Sequence, residues 1–167
     1  MEGKEKGDMK KVLVVGSLNM DMVLSVDHHP VPGETIIGDG ITYHPGGKGA
    51  NQAYAVGKLG GDVRIIGCVG WDNNGMILTE NLAQAGVDTT AINRMPEAPT
   101  GMAIIDVDKK GDNSIIVISG ANACLTPDLL RKQKASVEWS DFIMTQLETP
   151  IDTVLELARM AKKADKC

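Results

Sequence analysis

Residues 46–53 read Gly-Gly-Lys-Gly-Ala-Asn-Gln-Ala, and this run constrains the fold more than any other part of the chain. Its glycines make a turn that side chains would obstruct. Residues 48–59 continue it as a helix. Ala50, Ala53 and Gly57 give that helix a face of small residues, so it can lie very close to a sheet. Gly60 and Gly61 end it. A helix N-terminus carries free N–H groups that favour oxygen-rich ligands. Lys48 can only donate hydrogen bonds, whereas Asn51 can donate and accept. Taken alone, such a turn serves equally well as a structural turn with a solvated lysine.

Around this run the chain alternates strand-like and helix-like segments. Residues 11–16 read as a short buried strand. Residues 21–27 read as a second, with Met22, Leu24 and Val26 on one face and Asp21, Ser25 and Asp27 on the other. Residues 29–33 form a turn, and residues 35–44 a strand interrupted by Gly38 and Gly40. Strands are also predicted at 63–69, 87–94 and 142–147. Asp72 or Asn73 caps a helix running to Ala85, with Leu78, Leu82 and Ala85 on one face. Residues 100–107 and 115–119 predict a hairpin across 108–113. Thr126-Pro127-Asp128 starts another helix. Thr149-Pro150 starts the last, with an apolar stripe of Ile151, Val154, Leu155, Ala158 and Ala161.

Strand–helix–strand units predict an α/β fold, a parallel Rossmann-like sheet flanked by helices. The strands near 21–44 and 100–119 have no helices of their own and predict a small, mostly antiparallel sheet inserted beside it. Residues 1–10 are expected to be a flexible N-terminal extension, and residues 11–167 one α/β unit carrying that insertion. After the last helix an alternating fold calls for another strand. The sheet would otherwise end on an open apolar edge. The expectation is that the chain is a fragment or that something else covers the edge.

Composition removes several functions. The net charge of -5 leaves no basic excess to displace counterions, so no nucleic-acid partner is expected. No apolar run approaches the roughly 20 residues of a membrane span, so no membrane partner is expected. Cys68, Cys124 and Cys167 form neither a CxxC pair nor a zinc pattern, which predicts a reduced, cytoplasmic chain. His28, His29 and His44 have no carboxylate or cysteine partner at ligand spacing, so no metal site is expected. The glycine run is not a P-loop, because Gly47-Lys48 lacks the earlier glycine and Gly49 replaces the magnesium-binding Ser or Thr. Gly16-Ser17-Leu18-Asn19 likewise lacks the second glycine of a dinucleotide fingerprint.

The full spacing is more specific than the turn. Gly46-Gly47-x-Gly49-x-Asn51-x-Ala53, then Gly60 after six residues and Gly70 after nine more, resembles the first signature of the ribokinase-like (PfkB) carbohydrate kinase family. Residues 16–21, Pro32-Gly33-Glu34-Thr35, Thr100-Gly101, Gly120-Ala121-Asn122-Ala123 and Gln146-Leu147-Glu148 fit it too, so the resemblance covers the whole chain. Lys48 and the Asn19/Asp21 pair are most similar to the ribokinase branch. The resemblance implies an ATP-dependent phosphorylation of D-ribose to ribose 5-phosphate. It implies that Asn19, Asp21, Gly47, Lys48, Gly49, Asn51 and Glu148 hold the sugar. The inserted strands would act as a lid that pairs with a second lid in a homodimer.

The family's ATP loops, monovalent-cation site and glycine-rich run ending in the aspartate general base belong to a second half, and residues 1–167 contain none of these. The expectation is therefore no catalytic residue in this chain, with ATP, magnesium and a monovalent cation served by the complete enzyme. Two alternatives stand beside this reading: a non-catalytic sugar-binding or regulatory module, and a kinase for another sugar or a nucleoside.

Overall fold

The computed structural model describes residues 9–167; residues 1–8, most of the expected extension, lie outside the described residues. Strand β1 (Lys11–Val15) sits inside a sheet of order β5-β4-β1-β8, where β4 is Asp62–Gly70, β5 Ile92–Met95 and β8 Phe142–Thr145. Every pairing in it is parallel. Successive side chains of a strand point to opposite faces, and β1 is apolar on both. Val14 packs with Ala53, Leu78 and Leu82 under α1 (Lys48–Lys58) and α2 (Asn73–Gln84). Leu13 and Val15 pack with Leu130, Val137 and Leu157 under α3 (Pro127–Lys132), α4 (Lys134–Trp139) and α5 (Ile151–Lys163). Burial on both faces is why this strand reads as a continuous apolar run.

The second sheet has order β3-β2-β6-β7, with β2 Asn19–Ser25, β3 Gly40–Gly46, β6 Gly101–Val107 and β7 Asn113–Ile118. The β2–β3 and β6–β7 pairings are antiparallel and β2–β6 is parallel, so the inserted sheet is mostly antiparallel as expected. All of β7 is exposed, including Ile115, Ile116, Val117 and Ile118.

Several boundaries differ from the sequence expectation. Strand β2 starts at Asn19 rather than Asp21, because Asn19 pairs with Gly46 on one side and Gly101 on the other. Residues 35–39 form no strand. Residues 87–91 hold only an isolated bridge from Asp88 to Arg64. There the Asp88 carboxylate accepts from the Thr90 N–H at 2.9 Å, a local turn that competes with strand pairing. The helix begun at Thr126 breaks at Gln133 into α3 and α4.

The stripe expected to bury α5 is corrected. Thr153 and Leu157 face the core, while Ile151 and Leu155 are 58% and 48% exposed. The Thr153 hydroxyl donates to the Leu125 carbonyl at 2.5 Å, and Arg131 pairs with Glu156 at 2.9 Å, which together set the rotation of the helix. Beyond α5, the Ile143 N–H donates to the Cys167 carbonyl at 2.7 Å along the outer edge of β8.

Candidate functional site

The carboxyl ends of β1 and β8 and the N-terminus of α1 meet at one place, a usual ligand position in an open parallel sheet. Glu148 follows β8. Its Oε2 accepts from the Ser17 hydroxyl at 2.7 Å and from the Lys48 N–H at 3.3 Å, while its Oε1 pairs with the Lys48 ammonium. Ser17 Oγ in turn accepts from the Gly49 N–H at 3.4 Å. Burial pushes the Glu148 carboxyl up, but the Lys48 ammonium, the Ser17 hydroxyl and the Lys48 N–H outweigh it and hold the group below the ordinary range.

Two glycines make this convergence possible. Gly47 has φ +92°, and a Cβ there would stand 2.7 Å from the Asn19 nitrogen. A Cβ on Gly49 would stand 2.7 Å from both the Gly16 carbonyl carbon and the Ser17 nitrogen. The helix N-terminus therefore abuts the end of β1 backbone to backbone.

Asn19 and Asp21 are two apart on β2 and share a face. Asp21 stands across from His44 on β3. Burial, then the Glu148 charge, pushes its carboxyl above the ordinary 3.8, against the pull of His44 and Lys48. Two nearby carboxylates are thus pushed apart in acidity. Asn19 is 4% exposed, and its Oδ1 accepts from Asn122 Nδ2 at 2.7 Å. Asn51 lies in the first turn of α1, exposed, beside a cleft of about 260 Å³ that it lines with His44, Tyr54 and Asn81.

The structure therefore gathers Asn19, Asp21, Gly47, Lys48, Gly49 and Glu148 around the sheet ends, with Asn51 on the flank. Sequence reasoning missed the supporting residues. Ser17 and Asn122 lie inside motifs that were recognised, yet their contacts reach 131 and 104 residues along the chain. Asp72 and Thr100 were also missed as a unit. The Asp72 carboxylate accepts from the Gly75 N–H at 2.8 Å, the Thr100 N–H at 2.8 Å and the Thr100 hydroxyl at 2.6 Å. It thereby caps α2 and ties it to the base of β6.

The histidines need a correction. His28 does have carboxylate partners, Glu34 at 3.0 Å and Asp27 at 3.4 Å, and His29 pairs with Asp106. These are separate contacts in and beside the inserted sheet. Among the described residues no three His, Cys, Asp or Glu side chains converge as a metal group. Buried Cys68 has its thiol pushed up to about 12, by burial and then by Cys124 and Glu97, so it offers no thiolate. A cleft of about 500 Å³ lies between α4 and α5, where Arg131, Arg159 and Lys134 are already paired with Glu156 and Glu138.

Residues 9–167 match the family described as pfkB family carbohydrate kinase. The ribokinase of Haemophilus influenzae is 45% identical over 93% of this chain and 51% of its own length. The crystal structure of a ribokinase from Thermotoga maritima superposes with a TM-score of 0.83 at 42% identity, covering 90% of this chain and 49% of that one. That of an Arabidopsis thaliana ribokinase complexed with ribose and ATP gives 0.86 at 31% identity, covering 95% and 52%. The chain spans about half the length of these relatives.

Proposed function

This chain belongs to the pfkB family of carbohydrate kinases, and on that premise we propose that it supplies the sugar-holding part and lid of a ribokinase-type enzyme. The complete enzyme transfers the terminal phosphoryl group of ATP to D-ribose and yields ribose 5-phosphate and ADP. The observation that carries this reading is the Ser17–Glu148–Lys48 network set beside the Asn19/Asp21 pair at the sheet ends.

A sugar presents several hydroxyls that each donate and accept. The Asp21 carboxylate accepts from them, the Lys48 ammonium donates, and the N–H groups at the start of α1 favour their oxygens. Glu148 is held ionised and accepts further. The sheet of β2, β3, β6 and β7 rises from the same residues and serves as a lid that excludes water when closed. Its exposed β7, with Ile41 and Tyr43 on β3 about half exposed, is an apolar surface suited to a second lid in a homodimer.

ATP, its magnesium and a monovalent cation supply the donor phosphoryl group and balance its charge. On this reading they are held, with the general base, by the part of the relatives that this chain does not span. The donor set here does not fit them, so this chain's residues bind and orient the acceptor. The free cysteines favour a reducing, cytoplasmic setting.

A second reading, a non-catalytic sugar-binding module that docks on a partner, draws on the β8 edge. Leu147 is 78% exposed there, and Phe142, Ile151 and Leu155 are about half exposed.

Ligand-observed NMR with D-ribose, D-fructose and adenosine tests the substrate, alongside an ADP-release assay on the purified chain. Ribose is expected to bind best, with ADP release at background. Preference for fructose or adenosine would overturn the substrate assignment. Sugar-dependent ADP release at an ordinary kinase rate would overturn the placement of the donor site outside this chain.

A further inference from the structure

We infer that Asn122 is a positioning residue for the sugar contact at Asn19, fixing that amide so that it offers the substrate N–H donors only. The inference rests on the sugar-site reading above and goes beyond it.

Asn122 lies in the short 3-10 helix Gly120–Cys124, where the chain rejoins the core after β7. It is 2% exposed. Its Oδ1 accepts from the Leu18 N–H at 2.9 Å, and its Nδ2 donates to the Leu18 carbonyl at 3.1 Å and to Asn19 Oδ1 at 2.7 Å. A backbone N–H can only donate and a backbone carbonyl can only accept. Leu18 therefore dictates which end of the Asn122 amide lies where. Turning that amide over would set N–H against N–H and oxygen against oxygen, inside a buried pocket. Its remaining Nδ2 hydrogen needs an acceptor, so Asn19 must turn its Oδ1 inward. An ambiguity that ordinarily attends an asparagine side chain is removed here by the backbone.

What Asn19 presents outward follows. Its Oδ1 is engaged, and among the described residues no protein acceptor meets its Nδ2. That nitrogen shares a face with the Asp21 carboxylate on β2. A hydroxyl bound between them accepts from Asn19 Nδ2 and donates to Asp21. Gly101 lets the two amides meet: a Cβ there would stand 2.2 Å from Asn122 Nδ2 and 2.4 Å from Asn19 Oδ1.

The Asn122→Asp variant tests this. Its carboxylate still accepts from Leu18 N–H but sets its other oxygen against both the Leu18 carbonyl and Asn19 Oδ1. The Asn19 amide then turns over and shows the sugar an acceptor. D-Ribose affinity, read by isothermal titration at pH 8, is expected to fall tenfold or more. In an Asn19→Ala background the same substitution is expected to change affinity less than twofold, because its route runs through Asn19. Equal losses in both backgrounds would overturn the inference. Should the variant fail to fold, NMR on the unaltered protein decides: saturating ribose is expected to shift the Asn19 side-chain NH2 signals strongly. Ribose binding that leaves those signals unmoved would overturn the inference and remove Asn19 from the sugar contacts, while leaving the rest of the sugar-site reading in place. No ribose-dependent change anywhere in the spectrum would overturn the sugar-site reading and this inference with it.

Discussion

Ser17 donates its hydroxyl proton to Glu148 across 2.7 Å, although 131 residues separate them in sequence. The bond ties the end of β1 to the end of β8 and leaves the Glu148 carboxylate beside the N-terminus of α1. One side chain thereby joins three elements whose ends make the site.

Ser17→Ala removes that donor. The Glu148 carboxyl is expected to rise toward its ordinary value of 4.5, and stability to fall by about 1.5–3 kcal/mol, the net worth of a hydrogen bond to a charged group. Ribose affinity should weaken as the carboxylate loses its fixed position. Carboxyl carbon NMR across pH and urea unfolding check the first two effects, and a ribose titration the third.

Acidification should affect the two acids at different pH. Asp21 has its carboxyl raised by burial and the Glu148 charge. The folded state therefore favours protonated Asp21 and gains stability as pH falls through that raised value, while the sugar loses a charged acceptor. Glu148 is lowered, so its contribution to stability is full above 4.5 and is lost only as pH falls through its lower folded value. Ribose affinity should decline at a pH above the ordinary 3.8 of an aspartate. Titrations from pH 8 downward should show the decline in the unaltered protein and its absence in Asp21→Asn.

Gly49→Ala tests the close approach of α1 to β1. The added Cβ meets backbone atoms at 2.7 Å, which cannot rotate aside, so a loss of about 1–3 kcal/mol or more is expected. Gly60 is the control. Its φ is +80° but nothing lies within 4 Å of the position, so Gly60→Asn should cost far less. Thermal unfolding of both variants distinguishes contact from backbone strain.

Asp72→Ala removes the cap of α2 and the tie to Thr100. A loss of about 2–3 kcal/mol is expected, from the cap and a charge-assisted hydrogen bond together. Burial raises the Asp72 carboxyl, but bonds from Thr100 and Gly75 outweigh it and leave the group lowered. Its stabilisation should therefore be full above 3.8 and vanish as pH falls through the lower folded value. Urea midpoints at neutral and acidic pH for both proteins check the cost and its sign.

Much of this was legible because local chemistry carried it. The glycine run, the Asp72 cap and the Thr126 cap each announce a helix start within a few residues. The rotation of α5 was not legible, since a stripe of Ile151, Val154 and Leu155 shows which face is apolar without showing which neighbour it meets. The Thr153 bond to Leu125, 28 residues away, decides that. The late start of β5 likewise turns on Asp88, whose side chain is engaged by Thr90 and Arg64. The residues proposed to hold the sugar stand out through their motif, whereas the hydrogen bonds of Ser17 and Asn122 join segments more than 100 residues apart, and no local pattern encodes those.

The most direct test of the sugar-holding claim is isothermal titration of D-ribose into the unaltered chain and into Asp21→Ala, with thermal unfolding recorded for both. The account predicts saturable binding to the first, loss of at least tenfold in affinity in the second, and similar unfolding temperatures. Equal ribose affinity in the two folded proteins would contradict it.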